Sequence, residues 1–532
     1  MVVAGEPVAA GIGLEVLKRG GNAVDAAVTI AFVMAVTLPQ AGNIGGGGFM
    51  LIYSAKGREV IAVDYRERAP DRAHRDMFLG GDGNPDNDLS RFSHLSAGVP
   101  GTVAGLAMAL EKYGTITLKE ALAPAIRIAG DGLIVTPAFS DAIKSNSKTL
   151  KKHASTRAVF LKSDGGFYEP GEVFIQKDLA GTLRAIAEKG VKAFYEGSIA
   201  DLIVTEMESN GGLITKKDLK SYRPAIRRPV KGTYRGYDIY SMSLPSSGGV
   251  HIIQILNIVE GYDIASLGPN STKTIHYMAE AMKRAYADRS KYLGDPDFVK
   301  VPVKGLIDKK YAAKLRDRIK HRRATDSRKI SPGRPPGYES GETTHFSVVD
   351  SEGNGVSNTY TINFGFGSGI VVEGAGFLLN NEMDDFSAKP GVPNAYGLVG
   401  GAANAIEPGK RMLSSMSPTI VLKDGRPFII TGSPGGSRII TTTLQVIMNV
   451  IDHGMNIAEA VNAPRVHHQW LPDELRVEEG VSAGTIKALG GMAHRVVVKD
   501  RMGAASSILV DSEGGNIYGA ADPRRDGLAV GY

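Results

Sequence analysis

The stretch Thr343-Thr344-His345-Phe346-Ser347-Val348-Val349-Asp350 opens a strand-like run with two threonines, directly after a proline- and glycine-rich segment. A hydroxyl is a poor nucleophile unless a base stands beside it, and a threonine freed at a chain N-terminus carries that base as its own α-amine. Such an amine titrates at about 7.7–8.0, so a large share is neutral near physiological pH. The residue order points to a chain that cuts itself at the Glu342–Thr343 bond and so makes its own active site.

Three further constellations could serve a nucleophile there. Asp350-Ser351-Glu352-Gly353-Asn354-Gly355 is a turn signal between alternating segments and predicts a β-hairpin. Folded about Glu352-Gly353, it sets Thr343 opposite residue 362 or close to it, within reach of Thr361 and Asn363. Taken alone, Thr343, Thr344, Thr359 and Thr361 are also ordinary strand formers. The run Thr431-Gly432-Ser433-Pro434-Gly435-Gly436-Ser437 lies between a predicted strand and a predicted helix. Its adjacent glycines can turn two N–H groups toward one point, as an oxyanion hole requires. By itself a glycine-rich turn is more often structural, and this one lacks the Lys-Ser/Thr ending of a phosphate loop. Asn380-Asn381-Glu382-Met383-Asp384-Asp385 and Leu413-Ser414-Ser415-Met416-Ser417-Pro418 combine carboxylates with hydroxyls. That pairing suits a zwitterion, carboxylates for its ammonium and hydroxyls for its carboxylate, although each run also reads as a plain turn.

The elements that must position these groups follow from the pattern. Pro7 to Arg19 carries Ala9, Ile12, Val16 and Leu17 at helical spacing and stops at Gly20-Gly21. Ala26 to Leu38 is the longest apolar run, too short to span a bilayer, and predicts a buried helix. Met50–Tyr53 and Val60–Val63 alternate about a Lys56-Gly57 turn, and residues from about 100 to 320 are mostly helical in pattern. Arg322 to Glu342, with Ser331-Pro332-Gly333-Arg334-Pro335-Pro336-Gly337, is the clearest linker. Short strands follow at Thr343–Val349, Val356–Asn363, Thr419–Leu422 and Phe428–Thr431, then a helix from about Ile439 to His453.

Composition narrows the class further. The 532 residues suffice for several domains or one large layered body. Net charge is +6, from 62 Lys+Arg against 56 Asp+Glu, and the one dense basic run, Lys314 to Lys329, reads as a solvated helix end rather than a nucleic-acid patch. The absence of cysteine excludes disulfides, thiolate catalysis and cysteine-based metal sites. The eleven histidines include His467-His468 but no metal-protease spacing, and that pair is expected to pack beside Trp470. The first residues include Glu6 and show no signal-peptide pattern.

Together the ordered motifs resemble the γ-glutamyltransferase family, also called γ-glutamyltranspeptidases, of N-terminal-nucleophile hydrolases. The resemblance runs from Gly20-Gly21-Asn22-Ala23-Val24-Asp25-Ala26-Ala27 through Pro39 to Met50, Asp64-Tyr65-Arg66-Glu67 and Thr343-Thr344-His345. It continues through Leu413 to Thr419 and Gly432 to Ser437, and ends at Asn462-Ala463-Pro464-Arg465. It implies an α+β fold, the four-layer αββα sandwich of the N-terminal-nucleophile hydrolase type, with residues 1–342 as large subunit and 343–532 as small catalytic subunit. Thr343 matches the nucleophile, Thr361 the threonine that helps activate it, and Gly435 and Gly436 the oxyanion pair. Arg66, Ser414 and Ser415 match the site for the substrate α-carboxylate. Asn363, Glu382 and Asp385 match the groups that hold the α-ammonium, and Pro390 to Gly400, with Tyr396, resembles a lid loop.

The implied reaction uses no cofactor or metal. Thr343 attacks the γ-amide of glutathione or a related compound, and the γ-glutamyl ester passes to water or to an amino acid or dipeptide acceptor. A glutaryl or cephalosporin acylase of the same family is the neighbouring reading, opposed by Glu382 and Asp385, which a substrate without an α-amine would leave unpaired. A processing-dead homologue that binds γ-glutamyl compounds is the reading from another class. The resemblance implies a periplasmic or secreted protein, without nucleic-acid partners or a membrane span.

Overall fold

Alternation along single strands decides how the layers stack. In the strand Gly47–Ser54, Phe49, Leu51 and Tyr53 join one apolar cluster while Met50 and Ile52 join another. A strand buried on both faces needs a layer on each side. The computed structural model, which describes residues 1–333, 345–394, 397–511 and 513–532, supplies both. Among these residues one antiparallel sheet runs in the order Leu528–Val530, Val2–Ala4, His345–Val349, Gly355–Thr361, Gly47–Ser54, Glu59–Asp64, Ala225–Arg227. A second runs Ile517–Ala521, Ser506–Val510, Arg426–Thr431, Thr419–Lys423, Tyr237–Ser241, Val230–Tyr234. They face each other across Val3, Phe49, Leu51, Met242, Ile420 and Ile430.

Helices cover the outer faces. Pro7–Lys18, Ala23–Thr37 and Thr102–Tyr113 pack on the first sheet, with Leu118–Asp131 against Ala23–Thr37. Gly248–Val259 and Arg438–Ile451 pack on the second, with Thr272–Tyr292 against Gly248–Val259. The expected αββα layering is therefore present. Ala23–Thr37 is buried at every position and starts earlier than its apolar run, because a capping box fixes its first turn. In that box the Asn22 side chain accepts the Asp25 N–H while the Asp25 carboxylate accepts the Asn22 N–H.

Strands from both sides of residue 343 interleave. Val2–Ala4 lies between Leu528–Val530 and His345–Val349, and Tyr237–Ser241 pairs with Thr419–Lys423. A cut before residue 343 severs no sheet pairing among the described residues, so hydrogen bonds and apolar contacts would still join the two pieces.

Two expectations need correction. The mostly helical stretch from 100 to 320 also holds the strands Val230–Tyr234 and Tyr237–Ser241, a hairpin about Arg235-Gly236, both at positive φ. The hairpin that follows the linker pairs Val349 with Gly355 and His345 with Thr359, so it turns about Glu352 itself rather than about the Glu352–Gly353 bond. Asp350 sets that register. Its carboxylate accepts the N–H groups of Glu352 and Asn354 and the Asn354 side-chain amide, and Gly353 takes φ +83°. Of the histidine pair, His468 accepts the Trp470 backbone N–H at Nδ1, 3.1 Å away, while the indole N–H turns to the Ser327 and Ile330 carbonyls. His467 instead contacts Thr441 and Gln469. Most of the basic residues after Lys314 are exposed, as expected of a solvated helix end.

Candidate active site

The glycine run before Gly47–Ser54 makes the floor of the site, because nothing larger fits. A Cβ on Gly46 would lie 1.8 Å from the Thr361 carbonyl oxygen, and one on Gly45 would lie 2.0 Å from that of Leu378. Asn380 ties this floor to its surroundings. Its side-chain amide donates to the carbonyls of Gly45 and Gly98, each at 2.8 Å, and its oxygen accepts the N–H groups of Gly98 and Glu382.

Thr361 ends its strand buried on that floor. Its Oγ1 accepts the Asn363 N–H at 2.7 Å, which leaves its own proton to be donated elsewhere. Asn363, at φ +74°, turns the chain and donates from Nδ2 to the Asn381 carbonyl at 3.0 Å. His345 fills the space between this hairpin and the glycine turn of the second sheet. Its ring nitrogens meet Thr359 Oγ1 at 3.0 Å and Ser347 Oγ at 2.9 Å, and burial lowers its pKa to about 3. It is a neutral spacer. A Cβ on Gly432 would sit 2.4 Å from its Nδ1.

Beyond Gly432, Gly435 and Gly436 take φ +134° and +59°, the first of which only glycine adopts with ease. No hydrogen bond among the described residues reaches either N–H. Both glycines, with Thr361 and Asn363, line a groove of about 810 Å³.

Arg66 forms the centre of the second half. It is fully buried, donates from Nε to the Met412 carbonyl, and pairs through Nη1 with Glu382 and through Nη2 with Asp385 at 2.6 Å. Glu67 adds a third carboxyl, 3.5 Å from Nη1. Burial pushes all three acids up in pKa: Glu67 to about 7, Glu382 well above the ordinary carboxylate range, and Asp385 upward, with the Arg66 charge opposing each shift. Arg289, also buried, adds a second positive charge that acts on Asp385, so three carboxyl groups face two guanidiniums. Two residues beyond Met412, Ser414 and Ser415 are also fully buried. Their hydroxyls, the Glu382 Oε2 and both Glu67 oxygens have no hydrogen-bond partner among the described residues.

The expected residues therefore fall into two joined groups. Thr361, Asn363, Gly435 and Gly436 share the groove, Arg66, Glu382 and Asp385 share the charged cluster, and the Asn363–Asn381 bond links them. Arg66, Glu382 and Asp385 had separate expected tasks, yet here they bind one another. Glu342, Thr343 and Tyr396 lie outside the described residues. Glu67 stood in a quoted motif without a role, and only its place beside Arg66 could have pointed to one.

A fold of this layering, with a hydroxyl and two glycine N–H groups gathered at the strand ends, is that of the N-terminal-nucleophile hydrolases, which transfer acyl groups. The chain belongs to the gamma-glutamyltranspeptidase family, whose model matches residues 9–532. It is 55% identical over 534 residues to the glutathione hydrolase proenzyme of Escherichia coli (strain K12), covering all of this chain and 92% of that protein. The structure of a Helicobacter pylori gamma-glutamyltranspeptidase chain aligns at a TM-score of 0.61 and 50% identity, over 62% of this chain and 93% of that one. A cephalosporin acylase from Bacillus halodurans aligns at 0.88 and 30% identity, over 99% of this chain and 94% of that one. Among the described residues no helix is long and apolar enough to cross a membrane.

Proposed function

We propose that the chain is a self-cleaving γ-glutamyltransferase and glutathione hydrolase with Thr343 as nucleophile. The observation that carries the donor assignment is the excess of carboxyl groups around Arg66, with two serine hydroxyls nearby that have no partner among the described residues. A γ-glutamyl group brings an ammonium to satisfy Glu382, Asp385 and Asn363, and a carboxylate to take a guanidinium N–H and the Ser414 and Ser415 hydroxyls. Thr361 stands two positions beyond Thr359, the partner of His345, and Thr343 stands two positions before His345 in sequence.

In maturation the Thr343 hydroxyl attacks the Glu342 carbonyl carbon. The C–N bond breaks as the nitrogen takes the hydroxyl proton, leaving an ester, and water cleaves that ester to a Glu342 carboxylate and a free Thr343. The two pieces, 1–342 and 343–532, remain one body. In turnover the Thr343 amine takes the hydroxyl proton and passes it to the leaving amine, while Gly435 and Gly436 donate to the oxyanion. Thr361 donates its free proton toward the nucleophile oxygen. Water then releases glutamate, or an amino acid or dipeptide amine takes the γ-glutamyl group. The segment about Tyr396 is proposed as a cover for the pocket, and the periplasm or medium as the place of action.

The acylase reading has the Bacillus halodurans likeness in its favour. Against it, a glutaryl donor leaves the buried carboxylates without the cation they lack. Intact mass of the denatured protein with N-terminal sequencing tests the proposal. Two chains are expected, the smaller beginning Thr343-Thr344-His345, and Thr343→Ala should leave one uncut, inactive chain. A cut or active Thr343→Ala protein overturns the assignment.

A further inference from the structure

The charged cluster that suits the glutamyl end does not line the groove of about 810 Å³ that holds Thr361, Gly435 and Gly436. That groove is left for whatever lies beyond the scissile amide: first the leaving amine, then the acceptor. Its volume is that of a small-molecule site rather than of a water channel. Its charged lining is uneven in an instructive way.

Glu6 is engaged as a helix cap, its oxygens accepting the Val8 and Ala9 N–H groups and the Thr37 hydroxyl. Arg524 is held by Glu478 and Asp522, at 2.5 and 3.1 Å. Arg438 turns its Nε to the Gly435 carbonyl at 3.2 Å, which steadies the glycine turn. Arg525 and Asp526 differ from these: both are exposed and line the groove, and no hydrogen bond or ion pair reaches either side chain among the described residues, which leaves Arg525 as the cation there that no acid engages. Protein atoms packed around it lower its pKa, with Asp522 opposing, but a guanidinium stays charged at any working pH. A cation that opens onto a groove, with no protein partner among the described residues, can receive an anion.

We propose that Arg525 recognises the carboxylate of the leaving group and of the acceptor, so that the groove selects amines that end in a carboxylate. This rests on the acyl-transfer reading above. A planar fork of N–H donors matches a carboxylate in two-point fashion, and the same contact serves both half-reactions because the acceptor enters where the leaving amine departs.

The test compares two acceptors that differ only in that group. With γ-glutamyl-p-nitroanilide as donor, KM is measured for glycylglycine and for glycylglycine amide, in the wild type and in Arg525→Gln. A charge-assisted contact is worth about 10- to 100-fold in affinity, so the wild type should favour the free carboxylate by that factor. Arg525→Gln should bring the ratio toward one, and Arg525→Lys should keep part of it. Because the readout is a ratio within each enzyme, a general loss of activity or packing cancels. A wild-type ratio near one, or an unchanged ratio in Arg525→Gln, overturns the proposal. Absence of any nitroanilide turnover by the wild type would instead overturn the transferase reading beneath it.

Discussion

Glu382→Gln isolates one atom. Oε1 of Glu382 pairs with Arg66, while Oε2 is buried and without a partner among the described residues. A donor with an α-ammonium satisfies that oxygen, and a charge-assisted hydrogen bond of this kind is worth about 1.5–3 kcal/mol, or roughly 10- to 100-fold. A glutaryl donor, lacking the ammonium, leaves the same oxygen orphaned when the pocket closes over it. A glutamine amide at this position keeps the shape but removes the charge, so the γ-glutamyl donor loses most of its advantage while the glutaryl donor loses little. The measurement is kcat/KM for γ-glutamyl-p-nitroanilide and for glutaryl-p-nitroanilide in both proteins, after mass spectrometry has confirmed that each is cut. The γ-glutamyl preference should fall by about 10- to 100-fold in the variant. If both donors decline by the same factor, Glu382 shapes the site without reading the ammonium, and the charge argument around Arg66 is wrong.

Two other perturbations follow from the same geometry. Thr361→Val removes the hydroxyl whose proton is left free by the Asn363 N–H, and should slow both self-cleavage and turnover by about 100-fold or more, with Thr361→Ser restoring much of each; wild-type speed in the valine variant, read as precursor on a gel and as nitroanilide release, removes Thr361 from the mechanism. Glu67 is fully buried with its pKa raised to about 7, so the native state holds a proton that the unfolded chain gives up at lower pH, and its stabilising effect is lost as pH rises from about 4.5 through 7. A shift of that size is of order 3 kcal/mol, so Glu67→Gln should match the wild type in thermal stability near pH 4.5 and exceed it increasingly toward pH 8. A difference that stays constant or shrinks with pH contradicts the assignment.

How much of this was legible depended on whether a feature is local. The first helix was readable because its limits are local, Pro7 at one end and Gly20-Gly21 at the other, although its Glu6 cap was not foreseen. The strands Gly47–Ser54 and Glu59–Asp64 declared themselves by alternation. The hairpin at Val230–Ser241 was missed although Arg235-Gly236 and the alternating residues around it carried a signal, because flanking helices set the reading of the whole stretch. The register of the hairpin after the linker was out of reach, since it is set by which lone pairs of Asp350 accept which N–H groups.

The site shows the same divide more sharply. Composition offered a zwitterion-binding set, and family order assigned its members, but neither could say that Arg66 would bind the acidic residues themselves. That outcome is a matter of burial. Buried together, Arg66, Arg289 and three carboxyl groups must neutralise each other as far as they can, and the carboxyl left over is the specificity for a cation. Arg525 makes the complementary case. One of two adjacent arginines carries no signal in the sequence, and its meaning comes from its neighbours: Arg524 is held by Glu478 and Asp522, and Glu6 by a helix end. The excess acid at one end of the substrate path and the excess base at the other are thus two results of one accounting of partners, which only the folded arrangement provides.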